Sequence, residues 1–459
     1  MHTYILRRLL LMIPTLIGIT IVVFTVMAAA PGGISAQSLI EGQNLEPEVK
    51  KAMEEYYNRR YGLDQPAPLQ YLRWLNNISP IGFELSDDNK YQNFGFKSAD
   101  LGTSFQYGRN VGELLAERIP ITLLLNVISI PIIYLISIVI GVYAATHRGK
   151  TFDTGSGITM MALWSVPTML AGVLFIGFFA SEQYWHWFPT SGLSERAAQD
   201  MPFLPHWSDW FDILLLFLLM GLLVGLFTQL SQRLMAKPRM AIMAVGGGII
   251  GYWMANQIAG NDSTLSFAFL IILFAALGAL VAYTEFRALR SFSMGTMALL
   301  LAIALAFEFM QGEFVRGFLF DRIWHLILPI VCLSYGSFAF LAKLTRTSVL
   351  ENLQADYART AYAKGVSEHD VLWQHVFRNS LIPLITVSAS LLPSLLAGSV
   401  IVETIFSIDG MGKLAVEAVQ SRDREMVLSI TLVSGLLTLL SYIVADILYA
   451  MVDPRVSYD

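Results

Sequence analysis

Ten stretches of this 459-residue chain carry no charge or almost none over nearly the thickness of a lipid bilayer. They lie at residues 9–30, 121–145, 158–180, 213–230, 240–259, 265–283, 294–310, 326–342, 381–402 and 427–452. A hydrocarbon core about 30 Å thick needs roughly 20 apolar residues at about 1.5 Å each. Barrel strands would be about 10 residues long and alternate in polarity, and these stretches do neither. The expected fold class is all-α, a polytopic membrane helix bundle of about ten transmembrane helices. The rest of the chain agrees, since charged residues make up only 14% of it, against about a quarter in soluble proteins. That excludes a secreted or cytosolic enzyme. A net charge of −5 argues against nucleic acid as a partner. The single cysteine, Cys332, excludes a disulfide framework and a cysteine-rich metal site.

The first stretch has Arg7 and Arg8 before it and Ala28, Ala29 and Ala30 after it, as a signal peptide would. It is longer than the roughly 7–15 apolar residues of a signal core, so it reads as a retained helix. Basic residues set the orientation, because short cytoplasmic loops are rich in them. Arg7 and Arg8, then His147, Arg148 and Lys150, then Arg233, Lys237 and Arg239, then Arg287 and Arg290, then Lys343 and Arg346, and finally Arg455 all fall on one side of a ten-span arrangement. Asp209, Asp212, Asp262, Glu403, Asp409 and Glu417 fall on the other. Both termini are therefore expected in the cytoplasm. Two large segments lie outside the bilayer: 31–118 on the external side and 351–380 on the cytoplasmic side.

The cytoplasmic segment contains ADYARTAYAKGVSEHDVLWQHVFRNS over residues 355–380. Residues 355–364 are helix formers, and Gly365 suits a left-handed stop. Ser367 can cap a second helix, with Asp370 three residues on. Val371, Leu372, Trp373 and Val376 give that helix an apolar side. The residues thus predict a helix–glycine–helix elbow, which could be a solvated loop packed on its own bundle or a docking surface.

Arg359, Thr360, Ala361 and, after three more residues, Gly365 stand where importer permeases powered by ATP-binding cassettes carry their coupling loop. DYARTAYAKG followed by HVFRNSLIP resembles the dipeptide, oligopeptide and nickel permeases of that binding-protein-dependent family. So do RRLLLMIPTLIGITIVVF, YGLDQPAPLQYLRWL, DLGTSFQYGRNVGELLAERIPITLLL, VETIFSIDGMGKL and the tail DPRVSY. The resemblance covers most of 1–190 and 320–459. It implies a first transmembrane helix (1–30), an extracytoplasmic segment (31–118), core helices two and three (119–208), and core helices four to six (317–459) with the elbow at 351–380. Two regions depart from the pattern: a short insertion at 78–97, and a four-helix segment at 209–316 whose even span count leaves later orientations unchanged.

The resemblance also implies partners and site residues. A second homologous permease chain, two ATPase subunits and an extracytoplasmic substrate-binding protein are expected, with the lipid bilayer around them and no cofactor in this chain. Asp356, Arg359, Thr360, Ala361, Gly365 and Ser367 are the expected ATPase-coupling residues. The chain itself is then no enzyme, and its cargo is a peptide or a related small solute. A phosphate loop is missing: Gly149, Lys150 and Thr151 resemble the end of one, but Ala144 stands where its first glycine belongs. His369 and His375 face different sides of a helix, and His186 lies between two tryptophans near an interface, so no metal site is expected. Asp446, inside the last stretch, reads either as a helix-end polar group bonded to a neighbour or as a gating residue, since a buried charge there is costly. The competing classes are a secondary transporter, which should show inverted repeats, and another polytopic membrane protein without ATPase partners.

Overall fold

The computed structural model describes residues 2–30, 46–61, 63–85, 91–207, 210–258, 264–283, 287–309 and 314–452. The elements run α1 (His2–Ala29), α2 (Pro47–Tyr61), α3 (Ala67–Ile78), β1 (Ile81–Leu85), β2 (Tyr91–Phe96), α4 (Val111–Thr146), α5 (Thr151–Ser165) and α6 (Thr168–Phe175). They continue as α7 (Arg196–Gln199), β3 (His206–Trp207), α8 (Trp210–Arg233), α9 (Ala236–Ile258), α10 (Thr264–Tyr283), α11 (Arg287–Phe309), β4 (Phe314–Val315) and α12 (Gly317–Leu353). The last are α13 (Asp356–Ala363), α14 (Glu368–Asp370), α15 (Phe377–Ile405), α16 (Met411–Gln420) and α17 (Arg424–Val452). Among the described residues all ten apolar stretches fall on helices, one of them broken at 166–167. Among the described residues six helices are long and apolar enough to cross a membrane, and a bent pair makes a seventh.

The bent pair corrects the reading of 158–180 as one straight span. α5 and the helical run 168–180 meet at 95°. Pro167 lacks an N–H and crowds the residue before it, and Val166 accordingly takes an extended conformation with φ −82° and ψ 121°. Tyr335 of α12 donates its hydroxyl to the freed Val166 carbonyl at 2.6 Å. The Cys332 thiol faces the Thr168 carbonyl at 3.6 Å. The bend is thus held by α12 and not by Pro167 alone.

The chain forms two compact units, 1–172 with 329–459, and 173–328. In the first unit α1 lies along α17. Arg8 pairs with Asp446 at 2.9 Å, and a Cβ on Gly435 would come within 2.9 Å of Leu16. Val111, Leu114, Leu115, Met411, Leu414, Met426 and Ile430 form one core cluster, joining α4, α16 and α17. On the external side of the sequence-derived topology, α3 packs its Tyr71 and Trp74 against Phe24 and Leu428. The short insertion at 78–97 contains an antiparallel hairpin, β1 with β2, paired Ile81 to Phe96 and Phe83 to Phe94.

In the second unit α8 to α11 enclose Phe227, Met243, Ile250, Met294, Met297 and Leu301. α9 and α10 approach backbone to backbone. A Cβ on Gly247 would collide with the Phe274 carbonyl, and one on Gly278 with the Met243 carbonyl. Without a strong hydrophobic force between helices in lipid, such close approach through small residues supplies the attraction. Arg239 is buried and donates to the Ala282 carbonyl at 2.7 Å. Gly278→Val is therefore expected to lower the thermal unfolding midpoint in detergent, with an overpacking cost of about 1–3 kcal/mol. Gly221→Ala, whose Cβ meets nothing within 4 Å, should leave the midpoint unchanged or raise it. Equal midpoints for Gly278→Val and the parent would contradict the tight interface.

Candidate functional site

Two sites emerge from the first unit, one at each end of its helices. The elbow begins where α12 stops. α12 has 37 residues, about 55 Å at 1.5 Å per residue, well beyond a bilayer core. After Gln354 and Ala355 the chain turns into α13. Ala358 and Ala361 are buried, packed with Val142 and Ala145 at the end of α4, Val349 near the end of α12, and Val371 and Val376 of the second arm. Asp356, Arg359 and Thr360 point outward and are exposed, as are Lys364 and Gly365. The small alanines let this arm sit close while its polar side faces away. Arg359 and Asp356 approach at 3.6 Å on the exposed face, a contact of little energetic weight.

Gly365 takes φ +79°, the left-handed region where a Cβ is strained. Its N–H donates to the Tyr362 carbonyl at 2.9 Å, and that of Val366 to Ala361 at 3.2 Å. Ser367 then caps the second arm, accepting from the Asp370 N–H at 3.1 Å while donating to its carboxylate at 2.6 Å. This arm is not a separate short helix. α14 passes through a π-helical turn at Val371–Val376 directly into α15, so residues 368–405 are one helical run. The base is fastened by polar contacts. Ser380 is buried and donates to the Val376 carbonyl at 2.8 Å, and Asn352 donates to Ser380 at 3.2 Å. Tyr357 donates to Asn352. Arg346 grips Asp153 with two N–H groups, the Nη2 contact measuring 2.8 Å. Such a bidentate pair fixes orientation as well as distance.

At the other end a buried carboxylate, Glu403, closes the turn between α15 and α16. It has no exposed surface. Thr122 of α4 donates to it at 2.7 Å and the Lys413 N–H at 3.0 Å. The Gly412 N–H and the Ser399 hydroxyl also reach it. Thr122 in turn accepts from the Met411 N–H at 2.8 Å. The carboxylate thus satisfies the free N–H groups that open α16, where negative charge is favoured. Gly410 and Gly412 permit this approach: a Cβ on Gly410 would collide with the Glu403 carboxylate, and one on Gly412 would lie 2.6 Å from the Val400 Cα. Around it, Asp409 pairs with Lys413 at 2.8 Å and Arg118 at 3.1 Å. The Lys413 hydrogen bond, helped by Arg118, holds the Asp409 carboxyl below its usual range.

A second buried network ties the external segment to the start of α17. Ser104 donates to Asp423 at 2.5 Å, and Arg424 donates to Gln70 at 2.8 Å while pairing with Glu425. Tyr107 donates to Glu417 at 2.6 Å, and burial with that contact pushes its hydroxyl up to about 12. Sequence reasoning placed Glu403, Glu417 and Asp409 only as external acids and overlooked Thr122, Gln70 and Asp423. The two glycines of Ile408–Gly412, flanking Met411 a few residues after Glu403, were the available signal. Asp446, read as a helix-end or gating residue, meets Arg8, far along the chain from Glu403 and the elbow.

The family described as "Binding-protein-dependent transport system inner membrane component" matches residues 247–458, and its N-terminal counterpart matches residues 1–126. The oligopeptide transport system permease protein of Bacillus subtilis (strain 168) is 29% identical over 459 residues, covering all of both chains. The peptidoglycan transport system permease protein of Agrobacterium fabrum is 26% identical, covering all of this chain and 99% of the relative. The di/tripeptide transport system permease protein of Pseudomonas aeruginosa (strain UCBPP-PA14) is 27% identical, with the same coverage.

Removing the Glu403 carboxylate strands several donors, at about 1–3 kcal/mol each for buried groups. Glu403→Ala is expected to lower the unfolding midpoint and open the 406–410 turn to limited proteolysis. Lys413→Ala, which removes a partly exposed pair, should cost under about 1 kcal/mol. Equal effects would show that Glu403 does not organise the turn. Acid gives a second check. A carboxyl depressed in the folded state contributes stability above its unfolded value and loses it as pH falls through its folded value. Stability measured from pH 5 downward should therefore decline through the range below the ordinary Asp value of 3.8, and Lys413→Ala should flatten that decline.

Proposed function

Because the chain belongs to the family of binding-protein-dependent transport system inner membrane components, we propose that it carries peptides or a related small solute along a path between itself and a second, homologous permease chain. As a family member it is a multi-pass inner-membrane permease of an ATP-driven importer. It is not itself an enzyme, and hydrolysis belongs to a separate subunit. The reading as a secondary transporter falls with that membership. The peptide assignment draws on the relatives, whose names speak of oligopeptides and of di- and tripeptides.

The proposed assembly holds this chain, its homologous partner, two ATPase subunits and an extracytoplasmic binding protein that delivers cargo. The proposed topology has ten crossings with both termini in the cytoplasm, supported by the basic residues at 7, 8, 148, 150, 233, 237, 239, 343 and 346. In this arrangement the elbow faces the ATPases. Asp356, Arg359, Thr360, Gly365 and Ser367 form or shape the surface offered to them, and Ala361 seats the arm from behind. A gating role for Asp446 would consist of breaking its pair with Arg8.

One observation carries the coupling reading. The first arm is socketed by Ala358 and Ala361, and the second arm runs unbroken into α15. A displacement of the elbow by a closing ATPase pair is then transmitted along residues 368–405 to the turn that Glu403 holds. The π-helical turn lies between the two, where an extra residue in the helical repeat admits local adjustment. Gly365→Val is expected to insert normally and to lose most ligand-stimulated ATPase activity of the assembled importer, since the left-handed turn becomes strained by about 1–2 kcal/mol. Its Cβ has room, meeting nothing within 4 Å, so the effect would come from the backbone alone. Full ligand-stimulated activity in that variant would remove the elbow from the mechanism.

A further inference from the structure

The hairpin β1–β2 has two unlike faces. Gly82 and Gly95 pair on one, and Ile81, Phe83, Phe94 and Phe96 lie on the other. Gly82 is buried against Asn76 of α3, whose side chain both donates to and accepts from the Phe83 backbone at 2.9 Å. The apolar face is turned away from α3. Phe94 is 66% and Phe96 86% exposed, with Ile81 and Phe83 near half. Phe83 and Phe94 meet edge to face at 5.1 Å. Four large apolar side chains on one exposed surface are costly in water and mark an interaction site.

The packing of α3 fixes the depth at which this face lies. The Tyr71 hydroxyl is 2.9 Å from the Thr20 hydroxyl and 3.3 Å from the Ile17 carbonyl, and its ring lies 5.3 Å from that of Phe24. Thr20 is nine residues before Ala29, the end of α1, which is about 14 Å at 1.5 Å per residue. Arg8 is 21 residues before Ala29, about 32 Å, the thickness of a hydrocarbon core. Tyr71 therefore reaches deep into the leaflet at the C-terminal end of α1, and α3 lies beside α1 at the level of Phe24. Ala67 at one end of α3 and Ile78 at the other pack on the same cluster with Val23 and Ala28, so α3 stays within that level along its length. On its other side Leu69 and Leu72 are more than half exposed. The hairpin starts three residues after α3 ends.

We propose that the aromatic face of the hairpin, Ile81, Phe83, Phe94 and Phe96, is seated in the outer boundary of the bilayer, in the leaflet at the C-terminal end of α1. Aromatic rings are favoured at that boundary. The hairpin thereby anchors the external segment to lipid, and its partner is the acyl and headgroup surface itself. The inference needs only that α1 spans the membrane and stands apart from the identity of the cargo.

Site-directed spin labelling of the full chain tests it. In a Cys332→Ser background, Phe94→Cys, Phe96→Cys and Gly95→Cys each carry one nitroxide in vesicles of phosphatidylethanolamine and phosphatidylglycerol. Gly95 tolerates the change, since a Cβ there meets nothing within 4 Å. Labels at 94 and 96 should be relaxed severalfold more by oxygen than by a water-soluble nickel chelate, with the label at 95 showing a clearly lower ratio. Greater nickel access at 94 and 96 than at 95 would overturn the proposal, placing the face in water. Shielding of 94 and 96 from both reagents would also overturn it, in favour of a protein partner. The unmodified chain gives an independent reading. With a phospholipid bearing a photoactivatable diazirine in its acyl chain, adducts should appear on the tryptic peptides 74–90 and 91–97. Adducts confined to the membrane helices would overturn the anchor.

Discussion

A carbonyl inside a bilayer has no water to bond, so every break in a membrane helix must be repaired by another part of the protein. The bend at Val166 and Pro167 shows the repair in atomic detail. Tyr335 supplies the hydroxyl that the Val166 carbonyl needs, and Cys332 stands one turn before it against Thr168. The same rule explains the turn at Glu403. Four N–H groups begin α16 without helical partners, and a buried carboxylate with Thr122 serves some of them. Both breaks are sites where helices change direction, and both depend on a helix distant in sequence. Because the repairs cross between helices, moving one helix alone would strand polar groups. Motion of the bundle is thereby restricted to groups of helices that travel with their bonds intact.

How much of this was legible follows from how local each signal is. The helices at the ten apolar stretches, the stop at Gly365 and the cap at Ser367 are each written within a few residues, and the structure has them where the sequence suggests. The bend was not legible. Pro167 is visible, yet Pro14, Pro120, Pro131, Pro329, Pro383 and Pro393 all lie inside continuous helices. The break here is completed by a tyrosine 169 residues beyond Val166. Glu403 and Thr122 are 281 residues apart, and nothing in either neighbourhood names the other. The segment 78–97 read only as a short insertion, and its hairpin was missed, because an alternating pattern that leaves phenylalanines exposed does not mark a soluble strand.

The elbow and the Glu403 turn are linked by α15, which starts in one and ends in the other. At both sites the ion pairs lie around the contact and the innermost contacts are uncharged side chains or N–H groups. The elbow seats through alanines and valines, and the turn closes on the buried Glu403 carboxylate with Asp409 paired at its edge. This division keeps the exposed arm polar enough for an aqueous partner while its inner side packs like a core. It also explains why Ala361, grouped by resemblance with exposed residues, is buried: a larger side chain there would lift the arm off Val142 and Val349.

The Arg8–Asp446 pair bears on how the chain is made. Its two partners are 438 residues apart, the difference of their numbers, and synthesis at about 5–20 residues per second separates them by roughly 20–90 s. During that interval α1 resides in the bilayer without the helix that neutralises Arg8 and without the α17 surface at Gly435. Its apolar length, and then α3 packed at Thr20 and Phe24, must keep it there. α1 can meet α3 early, through Thr20 and Tyr71, but its contact with α17 closes only after the intervening residues have been made.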